Sequence, residues 1–265
     1  MYTYINAIHP LDVKRNGAPI YDGYLVAAAG GNFAGISAIN QCAKPPVVGD
    51  PRLQFKDVGV PIIHVMSQSD YLIGIDSRRP DSDVPTDRFR HYEMAGAGHA
   101  TPGELNSAAA PADIIKAGLP VPPMACNEGP RSRFPSGMLF NALWDNLDQW
   151  VRSDIAPPRA LPIRVVDGKP ETDQFGNVID GLRSTYVDVP TSTWNGSSTG
   201  ASFCFIAGHE VPFNNARLTQ LYGTKAEYLN KVVDSANRLV AARFLTAKDS
   251  LELIDEASKF NFPAP

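Results

Sequence analysis

Three short apolar runs, each closed by turn residues, set the rhythm of the first hundred positions. Tyr24-Leu25-Val26-Ala27-Ala28-Ala29 follows Asp22-Gly23 and stops at Gly30-Gly31. Val60-Pro61-Ile62-Ile63-His64-Val65-Met66 comes next and is rich in β-branched residues; Phe89-Arg90-His91-Tyr92-Glu93-Met94 is the third and more polar. Runs of this length predict buried parallel strands, with the polar third run nearer the sheet edge. Ahead of them, Met1 to Ile8 carry aromatic and aliphatic side chains at helical spacing. His9-Pro10 is expected to end that helix, because proline disfavours helical geometry in the residue before it.

Beyond the third run the pattern loosens. Ala100 to Arg133 is rich in Pro, Ala and Gly, with one weak helical piece around Ala112 to Lys116. A clearer amphipathic helix spans roughly Gly137 to Val151, with Phe140, Leu143, Trp144, Leu147 and Trp150 on one face; Trp144 and Trp150 read as core anchors. From Ile163 to Phe205 the chain is turn-rich and strand-like, at Ile163 to Val166, Asp173 to Gly181 and Tyr186 to Pro190. These runs are too short to close a core alone, so they predict an excursion packed on the main sheet. Thr224-Lys225-Ala226-Glu227 is a capping box before an apolar face from Tyr228 to Val240, and Asp249 to Glu252 repeats the signature. The expected fold is α/β: a mostly parallel sheet with flanking helices in one domain over 1–265, with a long loop and excursion region at 100–205.

Composition narrows the function classes. With 265 residues, 43% of them apolar and 20% charged, the chain can bury a sizeable core. A formal net charge of -4 without any Lys/Arg block leaves nucleic-acid binding unsupported. No apolar segment approaches the roughly 18 to 20 residues of a bilayer crossing, and no secretory signal is recognisable. Cys42, Cys126 and Cys204 lack metal-ligand spacing; one bridge, Cys126 to Cys204, would argue for an oxidising compartment. His9, His64, His91 and His209 form no metal pattern, and His64 and His91 read as packed within strands. Gly30-Gly31-Asn32 lacks the spacing of a dinucleotide fingerprint, so it offers only weak support for a nucleotide-dependent enzyme. No cofactor or metal is expected.

The candidate chemistry sits just after the second and third runs. Ser67-Gln68-Ser69-Asp70 follows one strand and Ala95-Gly96-Ala97-Gly98-His99 the next. An acid after one strand and a histidine after a later one are the last two members of a Ser-acid-His triad in α/β-hydrolase order. His99 is the candidate base, in an Ala-Gly setting that lets backbone bring the imidazole over the sheet's carboxyl edge. Asp70 is the candidate acid, with a turn-capping role as its bland alternative. Asp76, Asp81, Asp83 and Glu93 are rival acids, Glu93 reading as a side partner. Arg78 to Asp83 suits internal ion pairs more than a polar substrate. The literal G-x-S-x-G at Gly196 to Gly200 fails on context, because no apolar strand precedes it and strand-like sequence follows; Ser198 is not favoured as nucleophile. Asn195-Gly196-Ser197 also reads as a glycosylation triplet in a secreted protein.

Taken together, Asp22 to Leu25, Pro61 to Asp70, Arg79 to Asp83, Phe89 to Ala100, the Leu143 to Val151 helix with Pro157-Pro158-Arg159, Asp180 to Pro190 and the tail from Phe213 to Ala257 carry a resemblance. The chain resembles the uncharacterised bacterial alpha/beta hydrolase domain-containing proteins, a family related to serine esterases. That resemblance implies the C-terminal part of an α/β-hydrolase fold. The family's serine would stand in a G-x-S-Q-S/T-like elbow just before the helix equivalent to Met1 to Ile8, a place for which this sequence has no residues. Asp70 and His99 inherit acid and base roles by position, on a small-molecule ester. A truncated product or one chain of a split or nicked enzyme is favoured over an intact, inactive binding or assembly subunit. A companion N-terminal chain carrying the serine, or a second copy, is then expected against the exposed sheet edge. The compartment stays open between bacterial cytoplasm and secretion.

Overall fold

The structure is a computed structural model that describes residues 1–28, 47, 50–99, 111–121 and 125–263. Cys42, Gly30-Gly31-Asn32 and residues 100–110 lie outside the described residues.

The N-terminal apolar spacing does give helix, but not one that stops at His9-Pro10. Tyr4–Ile8 form a turn of π-helix, with the His9 N–H donating to the Tyr4 carbonyl, and α1 continues over His9–Asn16. Pro10 falls in the first turn of α1, where its missing N–H is not needed and its fixed φ suits the helix. Gly17, at φ +77°, ends α1 with its N–H on the Val13 carbonyl.

The three apolar runs become β1 (Tyr24–Ala27), β2 (Ile62–Ser67) and, after a short β3 (Ser82–Val84), β4 (Asp87–Met94). Strands β1, β2 and β4 pair in parallel in that order, and β3 adds antiparallel to the far side of β4. The sheet is therefore mixed, where the run pattern predicts a mostly parallel one. Nor does β4 lie at the edge. A two-residue turn at Pro85-Thr86 folds β3 over it, and Phe89 to Met94 are all buried.

Alternation along the strands divides the core into two layers. On one face Ile63, Val65, Tyr92 and Met94 pack with Leu139, Leu143, Leu147 and Trp150, which belong to helix α4 (Ser136–Ser153). Opposite, Tyr24, Val26, Ile62 and Phe89 pack with Tyr2, Ile5 and Phe55. Between β2 and α4 come α2 (Tyr71–Gly74) and α3 (Pro111–Lys116). Only one of the two helix-face tryptophans is a core anchor. Trp150 is 1% exposed, whereas Trp144 lies 55% exposed at the surface.

The excursion packs on the main core: Leu182, Val187 and Trp194 join the cluster of Ile63, Tyr92 and Trp150. Its internal structure departs from the run pattern. After a two-residue ribbon of β5 (Val165–Val166) and β6 (Lys169–Pro170), residues Thr185–Asp188 form a helical turn, α5, instead of a strand. The Ser184 carbonyl accepts from the Val187 and Asp188 N–H groups, and Val187 is wholly buried. Strand β7 (Ser192–Asn195) then pairs antiparallel with β8 (His209–Pro212), and the expected strand between them is a 3-10 turn at Ser202–Ile206. Cys126 and Cys204 form a disulfide that ties this turn to the segment before α4.

Three helices close the chain: α6 (Asn215–Tyr222), α7 (Lys225–Ala241) and α8 (Ala247–Lys259). Thr224 and Glu227 make the reciprocal capping box at α7. The last helix begins earlier than Asp249, because Thr246 accepts from the Asp249 N–H and is the true cap. Tyr222, Tyr228, Val232, Leu253 and Phe262 form the cluster between these helices.

Candidate active site

Because β2 and β4 are parallel neighbours, the loops leaving their C-terminal ends emerge side by side. The Ser67 to Asp70 loop is joined to the Gly96 to His99 loop throughout. The Gln68 N–H donates to the Ala97 carbonyl at 2.9 Å, and the Gly96 N–H to Gln68 Oε1 at 2.8 Å. The His99 N–H reaches Ser69 Oγ at 2.8 Å. Next to these bonds His99 Nδ1 stands 2.6 Å from Asp70 Oδ1.

The two partners sit in contrasting surroundings. Asp70 is 1% exposed, and its Oδ2 accepts the Ser67 N–H at 2.8 Å. The His99 side chain is 35% exposed. A buried, fully oriented carboxylate thus holds one nitrogen of a ring that reaches the surface. With Nδ1–H donating to Asp70, the neutral ring carries its lone pair on Nε2, the arrangement a general base requires.

Glycines bring the loops this close. A Cβ on Gly98 would lie 2.6 Å from the Gly208 nitrogen, and one on Gly196 would lie 2.7 Å from Gln68 Cβ and 2.8 Å from the Ala97 carbonyl. Residues 196–208 therefore form a wall against the base loop, and the Ile206 carbonyl accepts the His99 N–H at 2.9 Å. Sequence reasoning missed this wall. Its one signal is the repeated glycine at positions 196, 200 and 208, which marks close backbone approach without naming the partner.

The rival acids are occupied elsewhere. Glu93 accepts from both Arg78 Nε and Nη2 at 2.6 Å, pairs with His91 Nε2 at 2.9 Å and takes the Ile163 N–H at 2.9 Å. Burial pushes its pKa up, and the bonds and charges of His91 and Arg78 overcome that effect, holding it at about 2. Asp81 takes the His91 N–H at 2.9 Å, while burial raises its pKa. Asp83 binds Arg90 at 2.5 Å and Arg159 at 2.6 Å. The Asp76 side chain lies outside the described atoms. Arg78 and Arg79 are likewise in internal ion pairs, with Glu93 and Asp87.

The other histidines and Ser198 are held in place by local bonds. His64 Nδ1 stands 3.1 Å from His91 Nδ1 between β2 and β4, and His9 lies between the Tyr24 hydroxyl and the Val58 carbonyl. Ser198 is 7% exposed and donates to the Ala207 carbonyl at 2.7 Å. His209 Nδ1 lies 2.8 Å from the Ser197 carbonyl, so that nitrogen carries a proton and cannot take one from Ser198, 3.2 Å away. No nucleophile is identified among the described residues. Nor do they contain a group of His, Cys, Asp or Glu able to hold a metal, or a helix long and apolar enough to cross a membrane.

A family model described as an alpha/beta hydrolase domain matches residues 1–255. The chain belongs to that alpha/beta hydrolase family. Comparison with curated proteins and with solved structures finds no match. Membership accords with the mixed sheet, its flanking helices and paired loops at the carboxyl ends of two parallel strands.

Proposed function

We propose that this chain supplies the acid and base of a serine-dependent carboxylic-ester hydrolase. The observation that carries the reading is the 2.6 Å contact between exposed His99 and buried Asp70. A serine hydroxyl attacks the ester carbonyl and His99 Nε2 takes its proton. Asp70 keeps the ring in the useful tautomer and stabilises the imidazolium. The protonated ring then gives its proton to the departing alcohol, leaving an acyl-enzyme. Water attacks that ester by the same route, with His99 again as base, and releases the acid.

The serine is supplied by a segment or a companion chain beyond the described residues. Among the described residues β1 pairs with β2 alone, and its other side is where we place a strand of that companion, or of a second copy. The Cys126–Cys204 bridge favours a secreted protein over a cytoplasmic one. Native material treated with a serine-reactive fluorophosphonate tests the reading. Labelling of a companion peptide that copurifies with this chain supports it. An assembled protein that neither labels nor turns over esters would make the chain a binding or assembly subunit with a hydrolase fold.

A further inference from the structure

We propose that Ser69, with its hydroxyl set by Ser67, is the positioning residue that keeps His99 on Asp70; the inference rests on the acid–base reading above. Ser69 is fully buried, and its Oγ meets three segments. It accepts the His99 N–H at 2.8 Å, donates to the Ile206 carbonyl at 3.3 Å and lies 3.0 Å from Ser67 Oγ.

The directions of these bonds follow from the hydroxyl inventory, one donor and two acceptor sites each. Ser69 spends its single proton on Ile206, a carbonyl that can only accept. The proton between the two serines therefore belongs to Ser67, which donates to Ser69. Ser67 Oγ in turn accepts the Asp70 N–H at 3.2 Å, while the Ser67 N–H holds Asp70 Oδ2 at 2.8 Å. Every site on Ser69 is thus filled, so this serine is no candidate nucleophile. The chain of bonds runs from the acid's backbone, through two hydroxyls, to the base's backbone, with the 196–208 wall as third anchor.

Such a node fixes the distance between two loops that each carry one partner. Replacing Ser69 by Ala leaves the Ser67 proton without its acceptor and takes from the His99 backbone N–H its bond to Ser69, leaving it the Ile206 carbonyl. The imidazole then swings relative to Asp70, and misplacement on the scale of 1 Å costs about 100-fold in turnover.

The test uses NMR on the full chain, which needs no nucleophile. Asp70→Asn is the reference: it is expected to abolish the far-downfield Nδ1 proton signal of His99. Ser69→Ala is expected to broaden that signal beyond detection and to speed exchange of the His99 backbone amide about tenfold, with the circular dichroism unchanged. If Asp70→Asn leaves the Nδ1 signal intact, the acid–base reading fails and this inference with it. If Asp70→Asn abolishes the signal but Ser69→Ala leaves both signal and amide protection as in the parent, the positioning role alone is overturned. Should Ser69→Ala not fold, Ser67→Ala decides, because it removes the inner hydroxyl while keeping the Ser69 to His99 bond. It is expected to weaken the signal and the protection, and no change in either overturns the proposal.

Discussion

Two carboxylate–histidine pairs belong to the same sheet, Asp70 with His99 beyond the tips of β2 and β4 and Glu93 with His91 within β4, and they are built for opposite ends. In the inner pair every direction is filled. Glu93 takes two bonds from Arg78, one from His91 and one from the Ile163 backbone, and His91 turns its other nitrogen to His64. The outer carboxylate is just as buried, but its histidine is 35% exposed at the mouth of two loops. The lesson is positional: the same two residue types make an interior brace where side chains enclose both, and an acid–base pair where the strand ends and the ring meets the surface.

The largest expected effect breaks the comparison on its chemical side. His99→Ala in the assembled enzyme should lower ester turnover by about 10⁴-fold, read by kinetics. Unchanged turnover would remove the outer pair from the mechanism. The inner pair should behave in reverse. Glu93→Gln leaves Arg78 and His91 without their shared partner, which for a buried pair costs about 3–5 kcal/mol. Denaturant unfolding measures that loss, and a value under 1 kcal/mol would show that the brace does not bear on the fold.

Acid titration sharpens the same contrast. Glu93 is depressed from 4.5 to about 2, so its contribution is complete above pH 4.5 and disappears as the pH falls toward 2. The depression corresponds to roughly 3 kcal/mol. Stability measured across that window should fall less steeply in Glu93→Gln than in the parent; equal slopes would contradict the assignment. The smallest effect concerns loop geometry. Gly98→Ala places a methyl 2.6 Å from the Gly208 backbone nitrogen, an overpacking worth about 1–3 kcal/mol, with the His99 amide exchanging faster.

Much of this was legible in order along the chain. The strand cores, the helix over Ser136–Ser153, the Thr224 capping box and the placing of Asp70 and His99 after adjacent strands are local patterns, and local patterns survive folding. What escaped is decided by partners distant in sequence. The polar residues of β4 suggest an edge until Arg78 pairs with Glu93, Asp83 pairs with Arg90 and the β3 backbone covers that side. Trp144 and Trp150 share a nominal face, yet a helix buries only a stripe and Trp144 falls at its margin. Val187 sits in a sequence that reads as strand, but a turn of helix is what brings it beneath Gly96. The hydroxyl chain beneath the site was spelled out in Ser67-Gln68-Ser69-Asp70, though nothing in that string says which loop it would meet.

The link between Cys126 and Cys204 joins positions 78 residues apart. Closing a loop of that size removes freedom from the denatured chain worth roughly 4–5 kcal/mol in the chain-entropy view. Material prepared with reduced thiols would lose that margin, and the wall beside His99 would be the first part of the molecule to feel its absence.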